Sequence, residues 1–398
     1  MYLTHLSLTN YRLFPRLTLD VPRGLTLLVG HNAQGKTSLL EAVYYLATFT
    51  SFHASSDRQL VNLLATHEPL AVARLVADFV RKDGSHQLTC AIIQEPFGAV
   101  GTRMRREITL DGVKLTTPQA LGHLNAVIFL PQMMRIIEGS PDERRRYLNL
   151  AISQAVPGYA IALTEYQQVL TQRNALLKQL NERGGDSSQL EHWDQMLAQR
   201  GAFLIHTRIR VVAELESWAM RIHDQLSRHA EVLRLAYMPS YDPAADPNGQ
   251  LALKMDTPIQ RSHVSLDEIQ AGLLARLGKV RAEEIARGTT SIGPHRDDLR
   301  FSANLRDLGE YGSRGQVRTA LLSLKMAEVN WLQERKGEAP VLLLDETLAE
   351  LDPDRRADLQ TFLSGDTQSL MTTTDLTQFT PEFVKRAAIW KVEQGLIK

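Results

Sequence analysis

Gly30-His31-Asn32-Ala33-Gln34-Gly35-Lys36-Thr37 is the stretch from which the rest of the chain is read. The apolar run Leu25-Thr26-Leu27-Leu28-Val29 before it reads as a buried strand, and the apolar-periodic run from Ser38 to Leu46 after it reads as a helix. A G-x-x-x-x-G-K-[ST] spacing between strand and helix is that of a phosphate-binding loop. Its glycines let the backbone curl so that successive N–H groups converge on phosphate oxygens, and the helix N-terminus adds partial positive charge there. In this reading Lys36 reaches the β- and γ-phosphates and the Thr37 hydroxyl ligates Mg²⁺. The plainer alternative is a glycine turn that happens to precede a lysine.

Four apolar residues and then Asp345-Glu346 form the second marker, in Pro340-Val341-Leu342-Leu343-Leu344-Asp345-Glu346. A buried strand would deliver Asp345 beside the loop to hold Mg²⁺, directly or through water. Glu346 could then orient or deprotonate an attacking water. An Asp-Glu pair that merely caps a strand in solvent is the alternative.

A chain of 398 residues accommodates roughly two to three domains. Lys+Arg and Asp+Glu both number 45, so no global basic field announces a nucleic-acid partner and any such surface must be local. The single cysteine, Cys90, cannot form an internal disulfide, which suits a reducing compartment without proving one, and in its apolar run it reads as a small buried residue. The N-terminal residues alternate polar and apolar side chains, unlike a signal peptide, and no apolar run approaches the ~18 residues a membrane span needs. That pattern excludes a one-chain transporter.

Taken in order, Leu6, Leu8, Leu17, Leu19 and Val21 alternate as a hairpin pair, and strand-like segments follow at 73–80, 87–94, 106–110 and 125–130. Ser140-Pro141-Asp142-Glu143 is a complete helix start. Its helix carries Arg144-Arg145-Arg146, which cannot all share one face, so at least one is expected inward or toward a partner. From 158 to 287 the pattern is helical. Leu163, Tyr166, Leu170, Leu177 and Leu180 are answered, after the polar hinge 181–188, by Leu190, Trp193, Leu197 and Leu204. Pro239 to Gly249 reads as a loop, and Ser265-Leu266-Asp267-Glu268 opens another helix. From 288 the α/β character returns, through a strand at 299–305 and a helix after Gly312-Ser313-Arg314-Gly315-Gln316. The expected organisation is one α/β domain, 1–157 with 288–398, carrying a helical insertion at 158–287.

Ser313-Arg314-Gly315-Gln316 resembles the signature motif of ABC-type ATPases, and Glu350-Leu351-Asp352 resembles their D-loop. Within that superfamily the chain resembles the RecF family of DNA-repair ATPases, relatives of the SMC proteins. The match runs through Leu8-Thr9-Asn10-Tyr11-Arg12, the phosphate loop, Gly139-Ser140-Pro141, Gln172-Arg173-Asn174, Gly293-Pro294-His295-Arg296-Asp297-Asp298, and the Ser313 and Asp345 motifs. The resemblance implies an ABC-type P-loop ATPase head, a mixed sheet with flanking helices and an inserted helical arm. It implies ATP held by Arg12, Gly30, Asn32, Gly35, Lys36, Thr37 and Ser38, with Ser313, Gly315, Gln316 and Asp352 closing on the nucleotide of a second copy. It implies Mg²⁺ held by Thr37, Asp345 and the Q-loop glutamine, which falls at Gln132, with Lys36 and Glu346 in catalytic roles.

The same resemblance implies an ATP-dependent homodimer in the cytoplasm, associated with the nucleoid, that binds double-stranded DNA near gaps and works with RecR and RecO to place RecA. Candidate phosphate contacts are Arg103, Arg105, Arg106, Arg144 to Arg146, Arg173, Arg208 and Arg210, although each cluster alone reads as a solvated face before it reads as a DNA site, so none is counted among the site residues. Two departures stand out. RecF-like chains often carry Asp-Asp where this one has Asp345-Glu346, and related ATPases place a histidine where this chain has Thr372-Thr373-Thr374-Asp375. The competing functions are a nucleotide-gated scaffold that does not need hydrolysis, another SMC- or Rad50-like ATPase, disfavoured as a tether by the short helical insertion, and an unrelated P-loop enzyme such as a kinase.

Overall fold

The structure, a computed structural model, describes residues 1–67, 70–97, 101–244, 261–347, 351–363, 365, 367–393 and 395–397. The chain divides into two compact units, one made of Met1–Met133 with Glu328–Lys398 and the other of Met134–Ala327. The helical insertion read at 158–287 lies within the second of these units. Arg144 pairs with Asp298 at 2.6 Å and Arg208 with Asp297 at 3.0 Å, so the Pro141–Ala155 helix and the Gly293–Asp298 turn are drawn in with the arm.

The first unit holds two sheets. One is antiparallel, in the order Phe14–Asp20, Tyr2–Tyr11, Ala71–Arg81, Gly84–Phe97, Gly101–Leu110, Val113–Leu115. The other runs Leu396–Ile397, Ala388–Glu393, Leu25–Val29, Ser369–Thr373, Val341–Leu344, Ala126–Phe129, parallel except at its first edge. Parallel strands covered on both faces read as unbroken apolar runs, and Val341 to Leu344 are accordingly all inaccessible to solvent. The Lys36–Thr48 helix lies against this sheet with Leu39, Leu40, Val43 and Leu46 buried. The loop read at Pro239–Gly249 and the turn read at Gln394-Gly395 run partly outside the described residues.

The second unit is built on the long helices Tyr159–Arg183, Leu190–Leu226 and Leu266–Arg287, with a small sheet of Leu233–Met238, Asp298–Ala303 and Arg306–Asp307. Ser140 and Glu143 form the reciprocal cap read from sequence, with the Ser140 N–H on Glu143 Oε2 at 2.8 Å. Gly184, at φ 68° and ψ −168°, ends the first arm helix in a positive-φ extended conformation open almost only to glycine.

The inserted unit also corrects the assignment of two arginines. Arg173 is fully buried, with Nε 2.7 Å from Asp194 and Nη1 2.7 Å from Glu284. Arg208 is 1 % exposed and donates to Asp297, to the Pro294 carbonyl at 2.6 Å and to Tyr159 Oη at 3.0 Å. Neither is available to DNA. Helical spacing records only that a residue faces the core, and a cation goes there when carboxylates wait for it. Among the other candidates, Arg103 pairs with Glu95, Arg105 with Glu107, Arg106 with Asp57 and Arg145 with Asp142, whereas Arg210 is exposed.

The Gly293–Asp298 motif, the most distinctive stretch of the sequence, is a buried hub. Asp297 accepts from Arg208, Tyr237 Oη, the Ser240 N–H at 2.8 Å and the Ser240 hydroxyl at 3.1 Å. Its own carbonyl accepts from Arg145 Nη1 at 2.5 Å. His295 lies between Tyr166 Oη at 2.7 Å and the Thr290 carbonyl at 3.2 Å. Burial, supported by the charges of Arg296, Arg145 and Arg173, pushes this imidazole down to about 4.

Candidate nucleotide site

The phosphate loop grows from the middle of the parallel sheet. Val29 pairs with Thr373 on one side and Lys391 on the other, and the Gly30 N–H continues the ladder to the Thr373 carbonyl at 3.3 Å. A Cβ on Gly30 would stand 2.3 Å from the Val392 carbonyl oxygen, so no larger residue fits beside that strand. Gly35, at φ 106°, turns the chain into the helix. Gly30→Ala is therefore expected to lower stability by about 1–3 kcal/mol through overpacking, read as a shift in the urea midpoint. An unchanged midpoint would show that the Val392 segment gives way.

Lys36 is 4 % exposed, and its ammonium donates to the Gly30 carbonyl at 2.5 Å and the His31 carbonyl at 3.0 Å. Glu346 Oε1 lies 4.0 Å away. Burial lowers the Lys36 pKa below its ordinary value, and the charges of Glu346 and Asp345 oppose that shift.

The Thr37 hydroxyl stands 3.0 Å from each Asp345 carboxylate oxygen. A hydroxyl and a carboxylate are hard oxygen donors, and a pair leaving most positions to phosphate and water suits Mg²⁺. Among the described residues no group of three His, Cys, Asp or Glu offers a competing metal cluster. Glu346 follows at φ 48°, a left-handed conformation that costs a side-chain-bearing residue of order 1–3 kcal/mol and persists only where neighbours hold it.

Thr372 is the holder, and sequence reasoning did not assign it this part. Its hydroxyl donates to Asp345 Oδ1 at 2.7 Å and accepts the Glu346 N–H at 2.9 Å. The signal lay in the register. Leu344 pairs with Met371, which sets 345 beside 372. Thr373 donates to the Asp375 carbonyl at 2.8 Å, and Thr374 is exposed.

Gly35, Lys36, Thr37, Asp345 and Glu346 line a cavity of ≈ 360 Å³ that also includes Asn32, Ser38 and Gln132. Arg12 lines a second one of ≈ 890 Å³, which shares Leu13, Thr37, Ser38 and His53 with the first. Its guanidinium donates to the two Glu41 oxygens, at 2.7 Å each, and to the Gln59 carbonyl at 3.0 Å. Glu41, buried on the loop's own helix, also accepts from Tyr11 Oη at 3.2 Å and Ser51 Oγ at 2.5 Å. Nothing in the helix pattern marks this carboxylate, because its partners come from segments far away in sequence.

Ser313, Gly315 and Gln316 belong to the other compact unit, at the start of the Arg314–Lys336 helix. The Ser313 N–H is held by Gln316 Oε1 at 2.9 Å, and the Gln316 N–H by Ser313 Oγ at 3.2 Å, a reciprocal cap. Asp352 accepts the Arg355 N–H at 3.0 Å ahead of the Pro353–Leu363 helix and pairs with the Arg355 side chain. Burial would raise its pKa, but the Arg355 contacts outweigh that and hold the carboxyl below its ordinary value. Glu350 of the same motif lies outside the described residues.

A glycine loop, a hydroxyl–carboxylate pair and a glutamate past a strand end, on a largely parallel sheet joined to an antiparallel one, define the head of an ABC-type P-loop ATPase. The model of the RecF/RecN/SMC N terminal domain matches residues 2–398. The chain is 39 % identical to the DNA replication and repair protein RecF of Roseiflexus castenholzii, over 99 % of each chain. To that of Bacillus subtilis it is 34 % identical, over the full length of both. Among solved structures it is similar to the recombination mediator protein RecF with ATP, of the RecFOR pathway, at 30 % identity and TM-score 0.83, covering 100 % of this chain and 97 % of that one. It shares only the fold with the Smc head domain of Pyrococcus furiosus, at 18 % identity and TM-score 0.52, covering 100 % and 95 %. The chain belongs to the RecF family of DNA replication and repair proteins. Among the described residues no helix is long and apolar enough to cross a membrane.

Proposed function

We propose that the chain is an ATP- and Mg²⁺-dependent switch that closes as a homodimer on double-stranded DNA near gaps, where with RecR and RecO it helps to place RecA on single strands. The observation that carries this reading is the convergence of Lys36, Thr37, Asp345 and Glu346 on one cavity. In it the loop N–H groups and Lys36 bind the phosphates, and Thr37 and Asp345 hold the metal. Bound Mg²⁺ would offset charge on the β- and γ-phosphates. Glu346 aligns a water and takes its proton, and hydrolysis resets the dimer. Thr372 keeps the two carboxylate residues in register while this happens.

The signature motif completes the reading. Ser313 caps its helix at an exposed N-terminus, where N–H groups and the helix dipole favour a phosphate presented by a second copy. The test is sedimentation with ATP, with ADP and without nucleotide, in the presence and absence of gapped duplex, on the wild type and Ser313→Arg. A dimer is expected only with ATP and only for the wild type. A wild-type monomer under every condition would overturn the composite-site reading, and ATP-driven dimerisation of Ser313→Arg would remove the signature from it.

A further inference from the structure

Gln316 commits both ends of its side-chain amide within its own compact unit. Oε1 accepts the Ser313 N–H at 2.9 Å, and Nε2 donates to Glu231 Oε1 at 2.7 Å. Glu231 lies just beyond Leu226, where the long arm helix ends. Its other oxygen meets Nε2 of the fully buried His223 at 3.1 Å, and His223 Nδ1 is 3.1 Å from Ser323 Oγ. Ser323 sits on the helix that the signature opens. It donates to the Thr319 carbonyl at 2.7 Å, and the Thr319 hydroxyl donates to the Gly315 carbonyl at 2.8 Å. The chain of contacts thus leaves the motif at Gln316 and returns to it at Gly315.

An ionised carboxylate only accepts hydrogen bonds, so Glu231 decides which way the Gln316 amide faces. With Nε2 turned to Glu231, Oε1 must turn to the Ser313 N–H. We propose that Glu231, held in place by His223, is a positioning residue for the signature motif. It fixes Gln316, and through Gln316 the backbone and hydroxyl of Ser313, so the end of the arm helix sets the geometry of the surface offered to nucleotide. This rests on the reading above that the motif closes on the nucleotide of a second copy.

The test is a double-mutant cycle on ATP-driven dimerisation with Glu231→Ala, Gln316→Ala and the double variant, and Ser313→Arg as control. Binding of ATP by the separate monomers is measured alongside. Glu231→Ala is expected to weaken dimerisation roughly tenfold to a hundredfold, as loss of a hydrogen bond to a charged group does. Monomer ATP affinity should stay unchanged, because the loop belongs to the other unit. In the Gln316→Ala background Glu231→Ala should cost nothing further, and Glu231→Gln, which keeps an acceptor oxygen, should restore part of the loss. If Glu231→Ala fails to fold, Glu231→Gln takes its place in the cycle, with a smaller loss of the same non-additive kind expected. Wild-type dimerisation by Glu231→Ala while Ser313→Arg fails, or losses that simply add, would overturn the proposal. Dimers that ignore ATP in the wild type and the control alike would overturn the composite-site reading first, and this proposal with it.

Discussion

Glu346→Gln is expected to lower the rate of ATP hydrolysis by about 10²–10⁴-fold, the usual contribution of a positioned general base, while ATP still binds and the dimer persists. The carboxamide keeps the shape of the side chain and its hydrogen bond from the backbone to Thr372, but it cannot accept a proton at neutral pH. Metal binding is spared because Thr37 lies 3.0 Å from Asp345, the neighbouring carboxylate. Removing a negative charge 4.0 Å from the Lys36 ammonium also takes an anion away from a site built for phosphates. Phosphate release and dimer lifetime, measured on the same preparation, decide the matter. Wild-type turnover would strip Glu346 of the role of base, and full repair function in cells despite lost turnover would favour the scaffold reading.

Arg208→Ala is expected to destabilise the inserted unit by about 3–5 kcal/mol, the cost of leaving a buried carboxylate without its cation. Asp297 would keep Tyr237 and Ser240 as donors but lose the charge that balances it. Asn149, Tyr159 and the Pro294 carbonyl would lose a partner in the same step. Arg210→Ala, two positions along the same helix and exposed, should change stability by no more than about 0.5 kcal/mol. Urea unfolding of the two variants side by side makes the comparison. Equal midpoints would mean that the hub carries no net stability, and adding Asp297→Asn to Arg208→Ala should recover part of the loss if the unpaired charge is its cause.

The loop, the acidic strand end and the helix starts at Ser140 and Ser265 were legible because each is local. A capping box or a strand-loop-helix sequence states its chemistry within about ten residues. The parts played by Thr372 and Glu41 were not legible because they depend on partners up to 27 and 30 positions away, a hydroxyl against Asp345 and a carboxylate against Arg12 and Tyr11. Arg173 and Arg208 were misassigned for the related reason that spacing reports a face and not what waits on it. Their carboxylates, Glu284 and Asp297, come from the far side of the arm sequence. The compact unit that holds the arm runs from Met134 to Ala327, beyond the 158–287 that the helical pattern marks.

The order of strands in the parallel sheet bears on how the chain is made. Leu25–Val29 leaves the ribosome about 340 residues (369 − 29) before the first of its two neighbours, Ser369–Thr373 and Ala388–Glu393. At about 5–20 residues per second, it waits on the order of tens of seconds for a strand on either side. Throughout that interval Gly30 has no Thr373 carbonyl to hold it and Thr37 has no Asp345. A chain not yet made past Glu393 therefore has the motif without the cradle, and competence to take up nucleotide arrives only with those later strands.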